Sequence, residues 1–226
     1  MPALGAAQLE RARSYFTAPP YRPLDDAAAE SLLSGQRAAN RAFDRWMSRN
    51  VSGHRVPGYA IVTLSLKPTG IAPGDATDRQ MERIADLADS YSFGEIRVTH
   101  EQNLVLADVE KEKLFALWEA ARDAGLATPN IGMLTDIICC PGGDFCGLAN
   151  ARSLPVAAAI QARFDDLDYL FDIGDIDLNI SGCMNACGHH HVGHIGVLGV
   201  DKNDAEFYQV TLGGRQGNDA RLGTII

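Results

Sequence analysis

The chain has 226 residues, 46% of them hydrophobic and 22% charged, with a formal net charge of −9. That length can bury a substantial core in one large domain or two small ones, and the acidic balance argues against a nucleic-acid binder driven by phosphate neutralisation. No stretch approaches eighteen uninterrupted apolar residues, and the N-terminus (Met1 to Ala7) lacks a basic region followed by a long apolar one, so no membrane span is expected and the cytoplasm is the expected location.

Residues 1–50 read as a helical linker segment. A breaker at Pro19-Pro20-Tyr21-Arg22-Pro23 precedes a periodic helix from about Ala27 to Met47, which carries Leu32, Leu33, Ala38, Ala42, Phe43 and Trp46. A second unit spans 51–127. Tyr59–Leu66 is β-branched and aliphatic and reads as a strand. A Pro- and Gly-rich loop leads to a helix capped by Asp75 or Thr77 and running to about Ser90, with Met81, Ile84, Ala85, Leu87 and Ala88 facing inward. Short strands at Glu95–Thr99 and Asn103–Leu106 follow, then a helix from about Glu110 to Ala124 that stops at Gly125. This β-α-β-β-α order is most of a ferredoxin-like split βαβ unit.

A third unit, 128–226, is expected to hold a helix near Leu154–Phe164 and a strand at Ile176–Ile180. Strands at Gly193–Val200 and Glu206–Leu212 should pair as a hairpin around Asp201-Lys202-Asn203-Asp204. The apolar end Thr224-Ile225-Ile226, with no closing helix, reads as a cut inside a larger protein.

The chemistry lies in the cysteines. Cys140-Pro-Gly-Gly-Asp-Phe-Cys146 and Cys183-Met-Asn-Ala-Cys187 are two pairs on glycine-flanked loops, separated by enough chain for a helix and a strand. Such pairs in a cytosolic chain read as metal or redox ligands before disulfides, and Cys139 reads as a small buried hydrophobe. Zinc favours tight knuckles in both pairs, whereas the five-residue gap of the first pair suits a wider group. Spacing alone therefore favours a 4Fe–4S cluster and leaves zinc and disulfides open.

Thr135–Ala149 with Asn179–His190 resembles the sirohaem sulfite and nitrite reductases, whose pattern is a C-x₅-C loop followed by an (S/N)-G-C-x-N-x-C-G loop. Ile96–Leu104 resembles the R-x-T-x-x-Q-N-L turn of the same family. The likeness covers roughly Gly58 to Ile226 and looks closest to assimilatory sulfite reductase haemoproteins. It implies an α+β fold, a ferredoxin-like half-domain followed by an α/β domain for a 4Fe–4S cluster and sirohaem. It implies that Cys140, Cys146, Cys183 and Cys187 ligate the cluster, with Cys187 also bridging to sirohaem as the catalytic thiolate. Arg97, Thr99, Gln102, Asn103 and Asn185 fall on cofactor-facing positions, with Arg97 the strongest candidate because sirohaem carries many carboxylates. Arg55, Lys67, Arg152 and Arg215 read mainly as solvated surface. His189, His190, His191 and His194 read as structural, and His100 is a lesser candidate for a sirohaem carboxylate.

The resemblance further implies a six-electron reduction of sulfite to sulfide, with nitrite to ammonia as the alternative reaction. Its partners would be the N-terminal half of the same enzyme, a small anion substrate, and an electron donor such as ferredoxin, flavodoxin or a flavoprotein. By that reasoning the 226 residues alone would be inactive. A zinc- or cluster-binding module without sirohaem is the competing class.

Overall fold

A computed structural model describes residues 5–203 and 205–226; residues 1–4 of the N-terminal segment and Asp204 of the expected hairpin turn lie outside the described residues. Helix α1 spans Ala6–Arg13. The periodic stretch after the proline-rich breaker forms two helices, α2 (Asp26–Ala39) and α3 (Arg41–Asn50), where a single one is expected. The break is Asn40, extended at φ −139°, whose side chain accepts from the N–H groups of Ala42 and Phe43 at 3.1 Å each and so starts a new helix.

Helices α2 and α3 pack onto the unit that follows them, whereas α1 buries no side chain. Leu33, Phe43 and Trp46 are buried in the core of the next unit, and Phe43 packs edge-on against Phe115 with centroids 5.0 Å apart. The Asn50 amide donates to the carbonyls of Thr63 and Thr128 at 2.9 and 3.1 Å, fastening the end of α3 to that unit.

The unit is a four-stranded antiparallel sheet in the order β1 (Val51–Gly53), β2 (Tyr59–Leu64), β4 (Leu104–Glu110), β3 (Arg97–Val98). Alternation along β2 sends Ala60, Val62 and Leu64 to the core shared with α4 (Asp78–Tyr91) and α5 (Leu114–Asp123). Thr77 caps α4 in a reciprocal arrangement with Gln80. The strand after the turn runs four residues further than expected, through Asp108 to Glu110. Tyr21 and His54 bond Asp108, and Arg22 bonds Glu110, which is how a strand rich in acidic residues tolerates burial. The outer position beside β2 goes to β1, at the very start of the unit.

The second sheet runs β5 (Ile138–Cys139), β6 (Leu178–Ser181), β7 (Ile195–Asp201), β8 (Glu206–Leu212), β9 (Thr224–Ile225). The first three are parallel, and β7–β8 is the expected hairpin, in register from Ile195↔Leu212 to Asp201↔Glu206. Its core holds Met133, Ile137, Cys139, Leu178 and Ile180 under α6 (Leu154–Arg163) and α7 (Leu167–Ile173).

Two seams join the units. Arg45 and Arg49 of α3 lie over the Phe171 ring at 5.0 and 5.2 Å from its centroid and pair with Asp168 and Asp175. The second seam is a buried polar network around Lys67. Expected at the surface, Lys67 is instead fully buried: its Nζ pairs with Asp136 Oδ1 at 2.8 Å and donates to the Glu101 carbonyl. Sequence could not reveal this, because the carboxylate that draws the lysine inward lies on a distant segment.

Candidate functional site: two cysteine loops at one sheet edge

Cys140 follows the end of β5 and Cys183 follows the end of β6 by two residues. These strands are parallel neighbours, with Cys139 opposite Ile180, so both loops emerge at the same carboxyl edge of the sheet, where open α/β sheets form their sites. Sequence spacing alone could not establish this adjacency.

The loops are stitched together by backbone. Cys140 N–H donates to Ile180 O at 3.1 Å, and Gly182 N–H donates to Cys140 Sγ at 3.0 Å. Asn150 and Ala151 N–H both reach Gly182 O, at 2.8 and 3.0 Å, while Gly143 N–H reaches Ala151 O at 2.9 Å. Segment 149–153 is thus a strap threaded between the two loops.

Glycine is required at the closest approaches. A Cβ on Gly142 would lie 2.5 Å from Ser153 N, and one on Gly182 would lie 2.7 Å from the Cα of Gly142. A Cβ on Gly188 would lie 2.0 Å from Ile180 O. Ala151 and Ser153, both buried, belong to the site's framework; Ser153 Oγ lies 3.7 Å from Cys140 Sγ. Only their small size marks them in the sequence, a weak signal.

The four thiols differ in exposure. Cys140 and Cys183, the first of each pair, are buried at 8% and 7% relative accessibility; Cys146 is half-buried and Cys187 is exposed. The site therefore has two sulfurs at its floor and two toward solvent. All five cysteines are free thiols, and among the described residues no three His, Cys, Asp or Glu side chains gather tightly enough to hold one metal ion. The donor set is four thiols on two abutting loops, with Gly182 N–H on the Cys140 sulfur, a soft set of the kind that holds an iron–sulfur cluster. Around the rim, Phe145, Leu148 and Met184 are exposed at 82%, 75% and 84%. Asn185 is also exposed, on the outer loop beside Cys187.

Cys139 behaves as expected. It is buried in the core, and burial pushes its thiol up to about 12, with Cys140 and Asp144 adding to the rise, so it stays protonated at neutral pH.

The turn at 97–103 is split in its duties. Arg97 lies on β3, exposed and bonded to Glu95 at 2.6 Å, and it lines a cavity of about 510 Å³ with Tyr21, His54, Arg55 and Asp108. Thr99 lines two further cavities and accepts from Asn103 N–H at 3.2 Å through its hydroxyl. Asn103 is buried, and its amide is spent on Leu66 N–H (3.2 Å) and Asp136 (2.9 Å). Gln102 turns to Cys139, bonding both its N–H and its carbonyl. A cavity of about 440 Å³ separates Thr99, Gln102 and Val98 from Pro141 and Phe145 of the first cysteine loop.

The remaining candidates disperse. His100 pairs with Glu101 at 3.0 Å, His194 with Asp177, and Arg152 with Glu206 at the surface, while Arg215 is exposed and joins Arg221 through backbone. His190 is buried, which lowers its pKa with help from neighbouring His191. Arg55 is exposed. No helix among the described residues is long and apolar enough to cross a membrane.

Comparison with known proteins adds the following. Residues 57–124 match the family described as the nitrite/sulfite reductase ferredoxin-like half domain. The chloroplastic ferredoxin–nitrite reductase of Betula pendula is 31% identical over 220 residues, covering 91% of this chain and 34% of that protein. Sulfite reductase (ferredoxin) 2 of Mycolicibacterium paratuberculosis is 30% identical over 169 residues, covering 70% of this chain and 30% of that protein. Among solved structures, the NirA protein of Mycobacterium tuberculosis superposes with a TM-score of 0.62 at 27% identity, over 79% of this chain and 33% of that one. The chain spans about a third of the length of these relatives.

Proposed function

The chain belongs to the nitrite/sulfite reductase family, and from that premise we propose that it forms part of an assimilatory sirohaem sulfite reductase. Cys140, Cys146, Cys183 and Cys187 would hold a 4Fe–4S cluster, and Cys187 would also touch sirohaem. Bound there, the two groups supply one-electron steps at low potential, suited to a six-electron reduction of sulfite to sulfide. The observation that carries this reading is that two cysteine loops, far apart in sequence, meet at the ends of adjacent parallel strands.

The chain's own residues have definable tasks. Cys140 and Cys183 anchor the floor, and Gly182 N–H already donates to the Cys140 sulfur, fixing where it points. Exposed Cys187 is the thiol able to face a second group outside the loops. Phe145, Leu148 and Met184 would exclude water around it once covered. Thr99 lines the cavity shared with the first cysteine loop, whereas Gln102 and Asn103 have their amides committed within the protein and Arg97 would have to leave Glu95 to reach a carboxylate-bearing cofactor. Asn185, exposed on the outer loop, remains a candidate contact.

The matched plant relatives are named for nitrite, which favours nitrite to ammonia as the second reading; turnover of the full-length protein with each anion separates the two. Those names also support ferredoxin as the electron donor, and the remaining two-thirds of the relatives' length leaves room for another half of the same enzyme. A cytoplasmic site of action completes the proposal.

The test is anaerobic reconstitution of the 226-residue chain with iron and sulfide, followed by metal analysis and an absorption spectrum. About four irons per chain with cluster absorption is the expected result. One zinc per chain without iron would sink the proposal.

A further inference from the structure

The turn at 99–103 contains a backbone outlier. Gln102 sits at φ +60°, a left-handed conformation that long side chains seldom adopt. The turn enforces it: Gln102 N–H reaches Thr99 O at 3.2 Å, and Thr99 N–H reaches Asn103 O at 3.0 Å. Gly74 makes room, since a Cβ there would lie 3.0 Å from the Cβ of Gln102.

This conformation aims the carboxamide at β5, one of the two edge strands of the second sheet. Gln102 Nε2 donates to Cys139 O at 2.8 Å, and Cys139 N–H donates to Gln102 Oε1 at 2.9 Å. One side chain thus imitates a neighbouring strand, meeting both ladder groups of the residue before Cys140. The next residue repeats the grip three positions earlier, with Asn103 Nδ2 donating to Asp136 at 2.9 Å. Lys67 holds the same ends, bonding Asp136 and the Glu101 carbonyl.

We propose that Gln102 is a positioning residue for Cys140: the half-domain's turn, through two hydrogen bonds to the Cys139 peptide, sets where the first cysteine loop begins. Calling Cys140 a cluster ligand rests on the function proposed above; the clamp does not. Without it β5 keeps only its β6 partner, and a two-residue edge strand opens readily. The left-handed strain at Gln102 is then the cost of aiming a side chain, at a place where glycine would have formed the turn without strain.

The experiment uses the metal-free, reduced 226-residue chain. Gln102→Met keeps the length and the backbone conformation but removes both hydrogen bonds; Gln102→Glu keeps an acceptor for Cys139 N–H. Alkylation of Cys140 and Cys183 is followed by mass spectrometry, with amide exchange at Cys139. Gln102→Met should speed both Cys140 alkylation and Cys139 exchange by roughly tenfold or more, the scale of one or two hydrogen bonds lost, and leave Cys183 unchanged. Gln102→Glu should fall between. Equal acceleration at Cys140 and Cys183 would mean general loosening and overturn the proposal, as would no change at Cys140. In reconstituted protein, Gln102→Met should also alter the cluster's electron paramagnetic resonance signal. Failure of the wild-type chain to bind iron would count against the proposed function and leave the thiol result standing.

Discussion

The two units of this chain are stabilised in different ways. The half-domain is held by large apolar side chains: Phe43, Trp46, Leu64, Leu106, Leu114 and Leu117 are completely buried around one sheet face. The cysteine unit has a smaller core and relies at its loops on backbone contacts too close for any Cβ, while large apolar side chains on those loops point outward. The first unit draws on a large apolar core of its own. The second spends its precision on placing four sulfurs, and its exposed rim is arranged to meet something else.

This contrast can be tested by substitution. Trp46→Ala should have the largest effect, about 3–5 kcal/mol of stability in urea unfolding, because a fully buried indole leaves a cavity under the sheet. If the seams at Lys67 and Phe171 bind the units tightly, the loss will appear in one cooperative transition; two separate transitions would divide the molecule more sharply than proposed. Gly188→Ala should cost about 1–3 kcal/mol by driving a methyl into Ile180 O, and it should lower iron retention more than it lowers half-domain stability. Asn40→Ala removes the cap that separates α2 from α3, worth about 1 kcal/mol, seen as a lower urea midpoint with unchanged iron content. Phe145→Ser should move stability by no more than about 0.5 kcal/mol, since the ring is exposed, yet shorten the lifetime of a reconstituted cluster in air. A large stability loss there would show that the rim is already packed.

The elements that sequence made legible are those with local causes. The cap expected at Asp75 or Thr77 falls on Thr77, and the strand Glu206–Leu212 and the helix from Leu154 form where expected, each with a cause in its own residues: a capping box, a β-branched and aromatic run, an early proline. The elements it hid depend on distant partners. Helix α7 is seven residues long, started by Asp166 and kept by burial of Leu170 and by contacts from α3, none of which shows as periodicity. Lys67 looks like surface until Asp136 is placed beside it. The cysteines were conspicuous as a set, but which two would be buried depended on strand adjacency. Gln102 and Asn103 stand out by their place in a motif, and their side chains are engaged by the protein itself, because amides serve a β-edge as well as they serve a cofactor.

The origin of β1 has a practical consequence. The half-domain closes its sheet with a strand that lies upstream of the family-matched residues 57–124, and the chain leaving α5 passes Gly125 directly into the cysteine unit. A fragment cut at 57–124 would keep the region common to the family but lose that strand together with Phe43 and Trp46. Its β2 would become a bare hydrogen-bonding edge beside an unroofed apolar surface, a template for self-association. The smallest piece that keeps these partners therefore begins near Tyr21, which with Arg22 satisfies Asp108 and Glu110, and expression boundaries chosen by family likeness alone should yield aggregates from a sound fold.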